Sequence, residues 1–229
     1  HRLNKKSIGG DPVTLGDPYD PDFMKVKSLC LLNDRGGSAS EIRGFTSACG
    51  QSIFRGSAMG KDDYGDYFVC DPTIHVVRQA EVKRDRGKIM LTKTQEGEGE
   101  FLRSSDINCR FVNSATGPDG CLYVTDMYRG IIQDAPWMNP GARAFTRKSG
   151  LDTNNQHGRI WRLRHKDRQR NSEKPRMLDE ATVELVRHLD NPNGWWRDTA
   201  QRIIILRPDR DKAVAALTEK VAAGKVGIG

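Results

Sequence analysis

Apolar residues follow one rhythm up to about Leu163 and another from Leu178 onward. In the first stretch they form short runs broken by Gly, Asp and Pro, the pattern of half-buried strands joined by tight turns. Tyr67-Phe68-Val69-Cys70, Leu122-Tyr123-Val124 and Gly158-Arg159-Ile160-Trp161-Arg162-Leu163 read as strands, the last with alternating faces. Shorter strands are expected at Thr46–Ala48, Ser52–Arg55, Ile89–Lys93 and Phe111–Ser114, and Gly117-Pro118-Asp119-Gly120 reads as a turn feeding a strand. Residues 1–43 are turn-rich, with one strand candidate at Val26–Leu32, and Asp134–Gln156, interrupted by Pro136, Pro140 and Gly141, reads as one long irregular stretch.

In the second stretch the spacing turns helical. Leu178, Thr182, Leu185, Val186 and Leu189 fall on one stripe behind a possible cap at Asp179, and the stripe stops at Asp190-Asn191-Pro192-Asn193-Gly194. Trp196, Ala200, Ile203 and Ile204 share a second face up to Arg207-Pro208, and Val214, Leu217 and Val221 a third up to Gly224. Three short helices cannot each bury a stripe alone, so they are expected to stack as the opening of an α-solenoid.

The β-rich stretch contains an internal repeat. Asp66-Tyr67-Phe68-Val69-Cys70-Asp71-Pro72-Thr73-Ile74-His75-Val76-Val77-Arg78 aligns without gaps on the segment from Cys121 to Gln133, about 55 residues further on, near the spacing of propeller blades. Each copy is an aromatic-apolar strand ending in Asp, then a short connection and a second apolar pair. Inner strands of a propeller end at one mouth of a central channel, so Asp71 and Asp126 read either as mouth residues or as turn-formers that bond nearby backbone.

Charge narrows the function classes. The net charge is +7 and the pI about 9.2. Much of the excess lies in Arg162, Arg164, His165, Lys166, Arg168, Arg170, Lys174 and Arg176, a polar run between the two halves with no nucleic-acid fold signature, so it reads as a solvated linker and no nucleic-acid partner is expected. The five cysteines, Cys30, Cys49, Cys70, Cys109 and Cys121, form neither a CxxC nor a CxxCH, and no calcium loop of the DxDxDG kind is present. No stretch approaches the roughly 18 apolar residues of a membrane span. A chain that begins at His1 and stops in Gly-Lys-Val-Gly-Ile-Gly reads as an internal piece of a longer protein.

The segments Phe45–Gly56, Gly65–Pro72 and above all Gly117–Gln133 resemble the large planctomycete-type proteins called membrane-bound dehydrogenases or haem-binding CxxCH proteins. In that family a propeller similar to glucose/sorbosone dehydrogenases precedes HEAT repeats, and Asp190–Ala200 is similar to the turn and second helix of such a repeat. The resemblance, covering about residues 44–207, implies a mainly β fold: closing blades of a partial β-propeller, then a short HEAT-like solenoid segment. The expected layout is a truncated blade or inter-blade loop at 1–43, propeller blades at 44–164, a basic linker at 165–177 and the HEAT-like start at 178–229. The implied function is the C-terminal part of a quinoprotein-like sugar or alcohol dehydrogenase, periplasmic or exported. It would use pyrroloquinoline quinone with calcium, act on a carbohydrate or alcohol, and pass electrons to a cytochrome c-like haem domain of the same chain outside this segment, with membrane association through other regions. Quinoproteins set basic residues, shortly before a Pro-Asp-Gly turn, against the quinone carboxylates. Arg110 matches that position, its alternative being a structural arginine paired with Asp106, since guanidinium binds carboxylate bidentately. Asp126 and Arg129 are the other cofactor-side candidates, with an ion pair fixing the strand connection as their alternative. Such an oxidation also needs a base, commonly His, and His75 sits in an apolar run that suits this poorly. The rival reading is a non-catalytic propeller and HEAT scaffold that binds carbohydrate or protein partners.

Overall fold

The computed structural model describes residues 47–95, 100–106, 108–132, 140–148 and 150–224. The strand expected at Val26–Leu32 and the turn-rich residues 1–43 lie outside them. The chain divides into two compact units: His1–Ile53, Gly65–Ala115 and Tyr123–Trp161 form the first, and Phe54–Tyr64, Thr116–Leu122 and Arg162–Gly229 the second. The fold is mainly β, in antiparallel sheets, with no closed barrel among the described residues.

The first sheet has the order β1 (Cys49–Ile53), β2 (Tyr67–Asp71), β3 (Val76–Asp85), β4 (Lys88–Lys93), with β5 (Leu102–Arg103) also pairing β3. Phe68, Val69 and Cys70 are buried in succession, which is why this run is continuously apolar rather than alternating. Phe68 meets Phe101 edge to face with ring centres 5.0 Å apart. The outer half of β3 and most of β4 are exposed, Ile89, Met90 and Leu91 included. Arg86 and Gly87 join these strands with φ of 45° and 82°, the left-handed pair that a two-residue hairpin turn requires.

The second sheet has the order β6 (Phe111–Thr116), β7 (Leu122–Asp126), β8 (Arg159–Leu163). β7 alternates buried and half-buried positions, with Leu122, Val124 and Asp126 inward. The stretch expected to be irregular contains a helix, α1 (Pro140–Lys148). Pro140 occupies its first position, where the missing N–H costs nothing, and Arg147 and Lys148 in the last turn favour the negative end of the helix dipole. Gly150 beyond it has φ 65°. Pro140 therefore starts an element here instead of breaking one.

In the second unit, Met177, Leu185, Val186, Trp196, Ala200, Ile204 and Ala213 form one core, with Leu189, Trp195, Ile203 and Leu217 packed against it. The helices are α2 (Gly194–Leu206) and α3 (Val214–Ala222). The first helical stripe is realised differently from the expectation: Glu184–Asp190 is a 3-10 helix and Leu178 is 80 % exposed. Arg207 donates to the carbonyls of Met177 and Leu178, both at 3.1 Å, so this segment runs as turns whose carbonyls are satisfied by a side chain rather than by a helix. Asn193 caps α2, its side chain accepting from the Trp195 N–H. Its amide also donates to the carbonyls of Gly117 and Pro118, and Trp196 Nε1 donates to Pro118 at 2.8 Å. The segment between β8 and this core is largely exposed.

Candidate functional site

Polar groups concentrate in the first unit at the end of β7. Asp126 follows Val124 on the inward face of the strand, so its carboxylate is buried. Oδ1 accepts the backbone N–H of Arg110 at 2.7 Å and of Tyr128 at 2.8 Å. Oδ2 accepts Arg159 Nε at 3.0 Å and Nη2 at 2.7 Å, Trp161 Nε1 at 3.1 Å and the Cys109 thiol at 3.4 Å. Arg159 and Trp161 are two apart on β8 and therefore share a face. The guanidinium also lies 3.5 Å from the centre of the Tyr128 ring, so an aromatic face covers what the carboxylate leaves open. Burial alone would raise the Asp126 pKa, but the hydrogen bonds from Arg110, Arg159, Trp161 and Tyr128 outweigh it and hold the carboxyl below its ordinary range. The same carboxylate works the other way on Cys109, whose thiol is pushed up first by burial and then by Asp126.

Arg110, just before β6, is fully buried. Its Nε donates to the Arg129 carbonyl at 3.0 Å, Nη1 to the Pro72 carbonyl at 2.9 Å, and Nη2 to the Gly130 carbonyl at 2.8 Å. Nη1 also meets His75 Nε2 at 3.2 Å, while His75 Nδ1 lies 2.6 Å from the Cys109 carbonyl. Arginine can only donate, so Nε2 accepts and Nδ1 carries the hydrogen given to Cys109; this hydrogen-bond pattern assigns the neutral tautomer. His75 is fully buried at φ 58°, in the turn before β3. A base must reach a substrate proton, and this imidazole is enclosed.

The same device occurs at the end of β2. Asp71 accepts the N–H of Thr73 at 2.9 Å through Oδ1, as Asp126 accepts Tyr128, and the N–H of Ser47 at 3.0 Å through Oδ2, as Asp126 accepts Arg110. Ser47 and Arg110 each lie just ahead of the strand that precedes the Asp-bearing one. Each carboxylate thus ties the entry of one strand to the turn after the next.

Of the sequence candidates, the structure brings Arg110 and Asp126 together through the Arg110 main chain. Arg129 joins only by its carbonyl; its side chain is exposed and makes no hydrogen bond or ion pair among the described residues. The ion pair expected at this strand end is made with Arg159 in place of Arg129, and Arg110 donates to carbonyls instead of pairing with Asp106. Arg159 and Trp161 were not among the candidates; the alternating faces of β8 were the signal that could have found them. A cofactor carboxylate needs outward-facing donors, whereas Arg110 donates inward to the carbonyls of Pro72, Arg129 and Gly130. Among the described residues no group of three His, Cys, Asp or Glu is placed to hold a metal ion, and no helix is long and apolar enough to cross a membrane.

Fold and site together define a mainly β domain of antiparallel sheets whose strand ends are fastened by buried carboxylates. Residues 17–167 match the model of DUF7133, a domain of unknown function, and the chain belongs to that family. No curated protein and no solved structure matches it.

Proposed function

We propose that this chain supplies closing blades of a β-propeller and the first HEAT-like helices of an exported, dehydrogenase-like protein, and that its polar cluster fastens blades rather than holding cofactor. The observation that carries this reading is the repeated clasp: Asp71 and Asp126, at equivalent places in a sequence repeat, make the same pair of backbone contacts. Repetition of one fastening per strand group is what a radial array of similar sheets calls for. The exposed apolar side chains Ile205, Leu206, Val214 and Val221 on α2 and α3 support the HEAT assignment, since a solenoid covers such stripes with its next repeat.

In this reading the parent protein oxidises a sugar or alcohol with a quinone cofactor and passes the electrons to a cytochrome c-like domain outside this segment. The quinone contacts and the base then lie on residues other than Arg110, Asp126 and His75. A specific observation favours the rival scaffold reading: the three charged groups of the cluster, Arg110, Asp126 and Arg159, all bond within the protein. The deciding experiment titrates the full parent protein with pyrroloquinoline quinone and calcium and follows reduction of an artificial electron acceptor in the presence of sugars and alcohols. Saturable quinone binding with substrate-dependent reduction supports the dehydrogenase. Neither, in a protein that melts cooperatively, leaves the scaffold.

A further inference from the structure

We propose that Cys49 and Cys70 are oxidised to a cross-strand disulfide that locks β1 to β2. The two residues are direct partners in the antiparallel register, so their side chains leave the sheet on the same face. Opposed Cβ atoms in such a pair lie about 4.5–5.5 Å apart. A disulfide uses about 3.5–4.5 Å. The closing movement is small, and the pair stands beside a bulge: the register slips between Cys49 and Ser52, and Gly50 is at φ 59°. Burial first and Cys49 next push the Cys70 thiol up to about 12, so its thiolate is scarce and its attack is the slow step of closure.

Access sets the order of events. Cys49 is half-buried and Cys70 fully buried, so a small disulfide oxidant meets Cys49 first. With glutathione disulfide, the Cys49 thiolate attacks one sulfur, forming a mixed disulfide and releasing one glutathione thiolate. Cys70 then gives up its proton and attacks the Cys49 sulfur, releasing the second. Two protein thiols lose two electrons and two protons, and both appear in two molecules of reduced glutathione. This inference stands on the strand register and the exposure of the two cysteines and does not depend on the dehydrogenase reading.

The test uses the full chain, first reduced and then incubated with glutathione disulfide. Remaining thiols are blocked and the protein is digested with trypsin without reduction. Cleavage after Arg43, Arg55, Lys61 and Arg78 leaves Cys49 and Cys70 alone in separate peptides, 44–55 and 62–78. The expected result is a species joining these two peptides that disappears on reduction, with a melting midpoint raised on the order of 5–10 °C in the oxidised protein. Cys49→Ser abolishes both. A lasting glutathione adduct on Cys49 with Cys70 still blockable after denaturation would overturn the proposal, as would linkage of either residue to Cys30, Cys109 or Cys121. Mapping the unsubstituted chain decides the matter even if the variant folds poorly.

Discussion

Asp126→Asn tests the fastening role of the buried cluster most directly. Each carboxylate oxygen accepts at least two donors: Oδ1 takes the main-chain N–H of Arg110 and Tyr128, and Oδ2 takes Arg159, Trp161 and Cys109. An amide replaces one oxygen with an NH2 group, so whichever way it flips it sets donor against donor, and it removes the nearer of the two carboxylates that pair with Arg159, leaving Asp106 at 3.9 Å. Breaking a buried ion pair by removing one partner costs about 3–5 kcal/mol. Arg159 keeps 29 % side-chain exposure and can turn toward water, which places the cost near the lower end, about 3 kcal/mol. For a chain of this size that lowers the melting midpoint by about 6–12 °C at pH 7, measured by circular dichroism. The pH dependence has a definite sign. Asp126 is held below its unfolded pKa, so its contribution is fully present above that value and is lost as pH falls through the folded one. The gap between the parent and Asp126→Asn should therefore narrow below about pH 4. A midpoint change equivalent to less than about 1 kcal/mol at pH 7, or a gap that widens in acid, refutes the fastening argument.

The two arginine candidates should separate cleanly. Arg110→Lys, which replaces a planar fork reaching three carbonyls with a single compact ammonium, is expected to cost about 2–4 kcal/mol in urea unfolding, whereas exposed Arg129→Ala should stay within about 0.5 kcal/mol. Gly50→Ala should destabilise by more than about 1 kcal/mol, because Gly50 has φ 59° and an added Cβ would come within 2.3 Å of the Asn113 Cα; a neutral result would show that the bulge relaxes. In the second unit, Trp196→Phe keeps most of the packing but drops the hydrogen bond to Pro118, costing about 1–2 kcal/mol, against about 3–5 kcal/mol for Trp196→Ala. Equal losses for the two Trp196 variants would mean that the hydrogen bond rather than packing holds this helix.

How much of this was legible depended on whether a feature is local. The continuous apolar run of β2, the alternation of β7 and β8, and the stripe of α2 ending at Pro208 are written into neighbouring residues, so their elements could be read directly. So could the repeat that places Asp71 and Asp126 at equivalent strand ends, because both copies keep one spacing. Helix α1 was missed because it is short and holds few apolar residues, and because Pro140, read as a breaker, occupies the position where proline starts a helix. The Leu178 stripe had the right period but could not reveal that Arg207, some thirty residues later, supplies donors to the Met177 and Leu178 carbonyls.

The sequence alone thus determined the mainly β character of the first stretch, several of its strands, helices α2 and α3 and the residue types at the strand ends, because periodicity and turn chemistry act over a few residues. Only tertiary structure decided which charge meets which. Asp126 was close in sequence to Arg129 yet pairs with Arg159, more than thirty residues away on β8, and Arg110 turns inward to carbonyls at Pro72, Arg129 and Gly130. Likewise, nothing in the spacing of Cys49 and Cys70 sets them opposite one another; the register of β1 on β2 does. The reason is that a buried charge must find its partner wherever the chain brings one, and sequence distance places no bound on where that is.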